Sequence, residues 1–173
     1  FGPPGAGKGT QSKFIVNKFN LYQLSTGDLL RNEIKNKTKL GSEISSIINS
    51  GDLVSDKIVS NLIEKFVSND NYKNKIIFDG YPRTINQAKN LEILLNNSNQ
   101  KINYIFFLNV KKDAIIKRIE KRKIVEKRSD DDSGIILKRY DTYMEVTKPV
   151  LYYYANNQNF HEIDGSMEIN DIS

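Results

Sequence analysis

The chain has 173 residues, of which 38% are hydrophobic and 27% charged, as in a single globular domain with small excursions. No apolar run approaches the roughly 20 residues of a membrane helix, and the absence of cysteine excludes disulfides and thiolate zinc sites. The net charge of +5 favours a polyanionic partner, whether nucleic acid, anionic membrane or a small molecule. AT-rich coding DNA also enriches Lys, Asn and Ile, so the charge alone identifies no partner.

The hydrophobic periodicity predicts alternating helices and strands. In chain order we expect a helix at 8–19, a strand at 22–25, helices at 28–34, 41–48 and 56–67, a strand at 75–78, a helix at 85–95, a strand at 104–108, a basic helix at 113–123, a long helix at 134–156 kinked at Pro149, and a strand at 160–163. This alternation is typical of a parallel sheet built from βαβ units. We also expect the natural chain to continue at both ends, because only Phe1 precedes the first loop and residues 167–173 begin a helix.

A glycine-rich loop, GPPGAGKGT, occupies residues 2–10. Its glycines allow backbone N–H groups to converge on phosphate oxygens, and the helix that follows adds its positive N-terminal dipole. Lys8 would place a positive charge on the outer phosphates. Gly9 stands where Ser or Thr commonly follows the lysine, so Thr10 supplies the nearest hydroxyl. This spacing predicts a phosphate-binding P-loop rather than a plain glycine turn.

Further motifs follow in a fixed order: LSTGDLLR at 24–31, GDLVSD at 51–56, FDGYPRTINQ at 78–87, RSDD at 128–131, KRY at 138–140 and IDG at 163–165. With the loop, they make nearly the whole chain resemble the nucleoside monophosphate kinases, and the adenylate kinases most closely. The resemblance implies a single α/β kinase domain over 1–173, a P-loop NTPase-type three-layer fold with a five-stranded parallel sheet. It also implies a helical monophosphate-binding lobe at about 26–54 and a short lid at about 122–131.

The implied reaction moves a phosphoryl group between ATP and AMP to form two ADP, in nucleotide homeostasis. The resemblance implies Mg²⁺, no zinc, and a cytoplasmic monomer that binds small nucleotides, with no nucleic-acid or membrane partner. Such a transfer needs alignment and charge compensation, for which arginine is suited because its planar fork grips phosphate. The implied catalytic residues are Lys8, Asp79, Arg83, Arg118, Arg122, Arg128 and Arg139. Asp79 would hold Mg²⁺ through water, and the lysines around Arg118 and Arg122 are expected to be solvated.

The resemblance also divides the binding residues between two nucleotides. The ATP side would comprise Gly5, Ala6, Gly7, Lys8, Gly9, Thr10, Arg118, Arg122 and Gly165. The AMP side would comprise Thr26, Arg31, Asp52, Leu53, Val54, Val59, Gly80, Tyr81, Pro82, Arg83, Gln87, Arg128 and Arg139. Thr26 and Gln87 would read adenine, since an amide both donates and accepts. Leu53, Val54 and Val59 would sandwich the base.

Three other interpretations stay open at this point. The chain could be a UMP or CMP kinase, although those members of the family tend to have Ala and Asn where this chain has Thr26 and Gln87. It could be a noncatalytic nucleic-acid binder that uses its basic surface, or a P-loop protein that senses ATP without transferring phosphate. The single histidine, His161, is expected to have no catalytic role.

Overall fold

The computed structural model describes residues 1–126 and 132–173. This part of the chain contains four strands: β1 (Tyr22–Ser25), β2 (Ile76–Asp79), β3 (Ile105–Asn109) and β4 (Phe160–Asp164). β1 pairs in parallel with β2, in register from Tyr22 opposite Ile76, and β3 pairs in parallel with β4, from Ile105 opposite Phe160. Parallel neighbours need long crossovers, which helices supply here. The predicted alternation of helices and parallel strands is therefore confirmed.

Helices connect and flank these strands. They are α1 (Lys8–Phe19), α2 (Thr26–Lys35), α3 (Lys39–Asn49), α4 (Asp56–Val67), α5 (Ile85–Asn97), α6 (Lys112–Glu126), α7 (Ser133–Thr142), α8 (Lys148–Tyr154) and α9 (Ile169–Ile172). Several begin at a hydroxyl residue whose side chain accepts a hydrogen bond from the first turn. Thr38 accepts from Gly41 N at 2.9 Å, and Thr84 accepts from Gln87 N at 3.0 Å. Such caps fix where α3 and α5 begin.

The long helix predicted over 134–156 is interrupted. A π-helical segment, Tyr143–Thr147, separates α7 from α8, and Pro149 lies in the first turn of α8. Proline lacks an N–H group and its ring clashes with the carbonyl one turn earlier, so a regular α-helix cannot run through it. The wider π turn changes the hydrogen-bond pattern just before the proline. The irregularity therefore begins six residues before the predicted kink.

The five-stranded sheet is not confirmed. In the described part of the chain the strands form two separate pairs, β1 with β2 and β3 with β4. Phe1 extends the second pair, since its carbonyl accepts from Leu108 N at 2.9 Å and its amino group donates to Phe106 O. A largely apolar cavity of about 1210 Å³ reaches from β2 to β3. Phe1 pairs with β3 through one residue, which is too short a segment to form a strand.

The helical segment predicted as a lobe packs tightly onto the core around β1. α2 and α3 approach so closely that a Cβ on Gly41 would lie 2.1 Å from Glu33 O. Leu30 and Ile44 bury the facing sides of the two helices in a cluster that also contains Leu24 of β1. The helices over 26–54 thus bring their polar residues to the carboxyl end of β1, where α/β proteins bind ligands.

Candidate active site

The glycine loop leads directly into α1, as predicted. Gly5 and Gly7 have φ of +78° and +93°, which residues with a Cβ rarely adopt. A Cβ on Gly5 would also lie 2.7 Å from Ile119 Cγ1 of α6, whereas one on Gly7 would meet no atom within 4 Å. Gly5 is therefore required for packing and conformation, and Gly7 for conformation alone. The loop is pressed against α6, the helix that carries two of the predicted arginines.

Lys8 is the first residue of α1, and its ammonium turns back under the loop. Nζ donates to Gly2 O at 2.8 Å and to Pro3 O at 2.9 Å. Burial lowers the pKa of Lys8 from 10.5 to about 8; the charge of Asp79 opposes this, and the charges of Arg83, Arg139 and Arg122 add to it. Three of the predicted arginines thus lie near enough to act on the ammonium. The site concentrates positive charge, which an anionic ligand would neutralise.

Asp79 ends β2 beside the loop. Gln23 of β1 donates to Asp79 Oδ2 at 2.9 Å, and a Cβ on Gly9 would lie 3.5 Å from the same oxygen. Among residues 1–126 and 132–173, no three His, Cys, Asp or Glu side chains group as a metal cluster. Mg²⁺ nevertheless commonly uses one or two carboxylates together with phosphates and water. A single carboxylate beside a phosphate loop, with space left by Gly9, fits that donor set.

α6 places its arginines and its lysines differently. Arg118 and Arg122 are half-buried, and Arg118 Nη1 lies 3.4 Å from Ala6 O of the loop, a long contact. The lysines at 117, 121 and 123 are exposed, and Lys123 pairs with Asp132 at 3.3 Å. The prediction that the lysines are solvated is confirmed, whereas the two arginines lie on the side of the helix that faces the loop.

A second, smaller cavity of about 60 Å³ lies between α2, α3 and the residues that follow β2. It gathers most of the side chains predicted for the AMP side: Thr26, Arg31, Asp52, Leu53, Val54, Val59, Gly80, Arg83, Gln87 and Arg139. Leu30 and Ile48 also line it, although the family resemblance implied no role for them. The residues come from five separate segments of the chain, so their convergence depends on the fold.

The two predicted base-reading residues are buried and already hydrogen-bonded within the protein. Thr26 is 4% exposed, and its hydroxyl donates to Gly80 O at 2.8 Å. Gln87 is 2% exposed; its Oε1 accepts from Arg83 N at 2.8 Å, and its Nε2 donates to Asp56 Oδ1 at 2.8 Å. With its proton committed to Gly80, Thr26 can offer a ligand only an acceptor. Gln87 keeps one N–H and one lone pair.

The cationic side chains at this cavity are held at its edges. Arg83 Nε donates to Gly80 O at 2.8 Å, and Arg31 pairs with Asp28 at 2.6 Å on the surface. Asp52 binds Lys138 of α7 at 2.7 Å, in an exposed pair that contributes little to stability. Arg139, beside Lys138, lines both cavities, as does Arg83. The two arginines therefore stand where the two cavities meet.

The chain resembles known proteins over nearly all of its length. The family model for adenylate kinase matches residues 1–159. The adenylate kinase of Pelagibacter ubique is 49% identical over 199 aligned positions, covering 100% of this chain and 93% of the relative. The adenylate kinase of Mycoplasma mycoides is 40% identical, and the alignment covers 94% of this chain and 88% of the relative. That of Flavobacterium psychrophilum is 38% identical over 174 positions, which cover 100% of this chain and 92% of the relative.

The chain belongs to the adenylate kinase family. This confirms the predicted family and enzyme class, a phosphotransferase, and with it the P-loop NTPase α/β fold. In the described part of this adenylate kinase family member, no helix is both long enough and apolar enough to cross a bilayer.

Some predicted site residues lie elsewhere. Tyr81 and Pro82 line the larger cavity, and Thr10 is exposed on α1. Gly165 follows β4, where its N–H donates to Asn109 O at 2.9 Å, and a Cβ there would lie 2.6 Å from Val110 Cγ2. Arg128 falls outside the described residues, as does the 127–131 part of the predicted lid.

Two residues that support the site were missed. Gln23 holds Asp79, and Asp56 holds Gln87. No local signal could have found Gln23, because its contact with Asp79 depends on the parallel register of β1 and β2. Asp56 gave no signal either, because an acidic residue in a first helical turn is already explained by the helix dipole.

Proposed function

We propose that this chain transfers a phosphoryl group reversibly from ATP to AMP, with AMP in the smaller cavity and the ATP phosphates on the glycine loop. The observation that carries the proposal is the convergence of Lys8, Asp79, Arg83 and Arg139 on one cavity that adjoins the pocket of Thr26 and Gln87. One side of this arrangement presents buried hydrogen-bonding groups suited to a base, and the other presents concentrated positive charge suited to phosphates.

On the AMP side, each type of residue has a separate role. Thr26 and Gln87 read adenine, while Leu53, Val54 and Val59 cover its faces. Arg31 and Arg83 hold the phosphate, and the remaining predicted contacts are Asp52, Gly80, Tyr81 and Pro82. A cavity of about 60 Å³ is far smaller than the roughly 300–1,000 Å³ of typical small-molecule sites. Outward movement of α2 and α3 would enlarge this space for AMP, and we assign the helices over 26–54 the role of a mobile lobe.

On the ATP side, the loop from Gly5 to Thr10 binds the phosphates with its N–H groups, and Lys8 turns its ammonium to the outer ones. Arg118 and Arg122 reach them from α6, and Gly165 lies by the ATP base. Asp79, oriented by Gln23, would hold Mg²⁺ through water, and the ion would neutralise phosphate charge. Arg128 and Arg139 close over the migrating group. No general base is required, because alignment and charge compensation dominate phosphoryl transfer.

Several finer statements rest on the resemblance and stay predictions: a fifth strand in the sheet, a short lid at about 122–131 without zinc, and a cytoplasmic monomer without a nucleic-acid partner. The main-chain pairing of Phe1 with β3 supports the fifth strand. Closure of lid and lobe would exclude water from the reacting phosphates.

The test is a coupled assay of ADP formation from MgATP with AMP, UMP, CMP or GMP. We expect kcat/KM for AMP to exceed the others by roughly 10²-fold or more, because mispaired buried polar groups reject the wrong base. Arg83→Ala should raise KM for AMP strongly, whereas Lys89→Ala, an exposed cation on α5, should not. Preferred turnover of UMP or CMP would favour the pyrimidine interpretation. Salt-sensitive DNA binding without AMP-dependent ADP formation would favour the nucleic-acid binder.

A further inference from the structure

The amide of Gln87 is held at both ends. Arg83 N–H donates to Oε1, and Nε2 donates to Asp56 Oδ1, each at 2.8 Å. The second carboxylate oxygen of Asp56 accepts from Thr84 Oγ1 at 2.9 Å. Gln87 lies in the first turn of α5 and Asp56 in the first turn of α4. Two helix starts therefore cooperate to hold one buried side chain.

These partners fix the direction in which the amide faces. A backbone N–H can only donate, and an ionised carboxylate can only accept. Rotating the amide by 180° would set Oε1 against Asp56 and Nε2 against Arg83 N–H. Both hydrogen bonds would be lost, with acceptor facing acceptor and donor facing donor. Asp56 disfavours the rotated amide, because its carboxylate would then face Oε1 in place of Nε2.

The direction of the amide carries chemical information. Gln87 lines the small cavity with one N–H and one lone pair uncommitted. Adenine offers an amino donor at position 6, whereas guanine and hypoxanthine offer a keto acceptor there, and the neighbouring ring nitrogen is reversed in the same way. An amide that could rotate would pair with either kind of base. A fixed amide matches only one of the two orders.

We infer that Asp56 is a positioning residue that sets the preference for a 6-amino purine over a 6-keto purine, by locking the orientation of Gln87. The inference rests on the proposed function, in which the small cavity holds the base of AMP. Asp56 does not line that cavity and acts through Gln87. Thr26 also offers the ligand only an acceptor, because its hydroxyl proton is donated to Gly80 O.

The experiment compares AMP with inosine monophosphate, whose base differs from adenine by the 6-keto group and the proton on the neighbouring nitrogen. Asp56→Asn keeps the size of the side chain but lets it donate to Oε1 of a rotated Gln87. We expect the AMP-to-IMP ratio of kcat/KM to fall about tenfold or more, the equivalent of one mispaired buried group. The fall should come from KM for AMP, with KM for ATP unchanged. Glu64→Gln, an exposed charge removal on α4, should leave the ratio unchanged.

A double-mutant cycle separates positioning from a general structural effect. In a Gln87→Ala background, Asp56→Asn should change the ratio no further. If the ratio falls equally in that background, or is unchanged in Asp56→Asn alone, the inference is wrong. Thr84→Val, which removes the hydroxyl bonded to Asp56 and to Gln87 N, should lower the ratio in the same direction, whereas Thr84→Ser, which keeps the hydroxyl, should not. If the unmodified enzyme forms no ADP from AMP, the proposed function is wrong. If the unmodified enzyme prefers AMP to IMP and Asp56→Asn keeps that preference, only the role of Asp56 is wrong.

Discussion

The two halves of the site prepare for their ligands in different ways. At the smaller cavity, the polar side chains are buried and their hydrogen bonds are satisfied by the protein, as with Thr26 and Gln87. At the glycine loop, an ammonium is buried among other positive charges, and the pKa of Lys8 falls to about 8 as a result. The polar groups of the first half are satisfied by protein partners, while the second half carries an electrostatic cost that an anion would relieve.

This difference matches the two tasks. Recognising a base requires donors and acceptors in a fixed order, which rigid partners such as Gly80 and Asp56 provide. Phosphoryl transfer requires positive charge that stabilises the negative charge on the migrating phosphoryl group. The uncompensated positive charge at the glycine loop suits that task. Variants of the loop should therefore change rates, and variants of the cavity should change selectivity.

Lys8→Met should give the largest effect, a loss of roughly 10³-fold or more in kcat, comparable to losing a phosphate-binding arginine. Stability should change little, by about 1 kcal/mol at most. Removing a buried charge is favourable, whereas leaving the carbonyls of Gly2 and Pro3 without their donor is unfavourable. Steady-state kinetics and urea unfolding of the same samples measure both quantities. A large loss of stability with intact kcat would reverse the roles assigned to the two halves.

Neighbouring cations on α6 sharpen the comparison. Arg122 is half-buried and its charge acts on Lys8, whereas Lys121 is exposed. Arg122→Ala should lower kcat/KM for ATP by roughly 10²- to 10³-fold, because its fork neutralises phosphate charge. Lys121→Ala removes the same formal charge and should leave kcat/KM unchanged. Equal losses in both variants would mean that the overall charge of α6 matters, and not the position of Arg122.

The pH dependence should separate the halves as well. Because its folded-state pKa is lowered, Lys8 loses its proton above about pH 8 in the folded protein but above about 10.5 when unfolded. Between these values the native state holds fewer protons, so this residue makes stability rise with pH. ATP binding should do the opposite: if only the ammonium form binds phosphate, KM for ATP rises about tenfold per pH unit above 8.

KM for AMP should change less over the same range, which serves as the internal control. Calorimetry at pH 8.5 in buffers of different ionisation enthalpy should detect proton uptake when ATP binds. No proton uptake, together with a KM for ATP that is level up to pH 9.5, would contradict the low pKa of Lys8.

Local patterns predicted much of this molecule. The bounds of α1, β1 and α4 match the periodicity, and the paired glycines and Lys8 predicted the loop. These successes share a cause: each depends on neighbours in sequence, such as a hydroxyl cap before a helix or an apolar run between turns.

Contacts between distant segments could not be predicted in the same way. Asp56 and Gln87 lie 31 positions apart, and their hydrogen bond exists only because α4 and α5 begin side by side. Gln23 meets Asp79 because β1 and β2 pair in parallel, a register that no local pattern specifies. The π-helical turn before Pro149 likewise depends on how the backbone adapts over a full turn. Supporting residues are thus harder to predict than the residues they support.

The smallest expected effect comes from Gly134, whose surroundings differ from those of Gly41. A Cβ on Gly134, in the first turn of α7, would meet no atom within 4 Å, whereas a Cβ on Gly41 would lie 2.1 Å from Glu33 O. Gly134→Ala should raise the free energy of unfolding by about 0.4–1 kcal/mol, because alanine restricts the unfolded chain and favours helix. Gly41→Ala should lower it by about 1–3 kcal/mol or more by forcing α2 and α3 apart, and should raise KM for AMP. Denaturant unfolding and AMP kinetics on both variants measure this, and a destabilised Gly134→Ala would mean that α7 packs differently from the arrangement described.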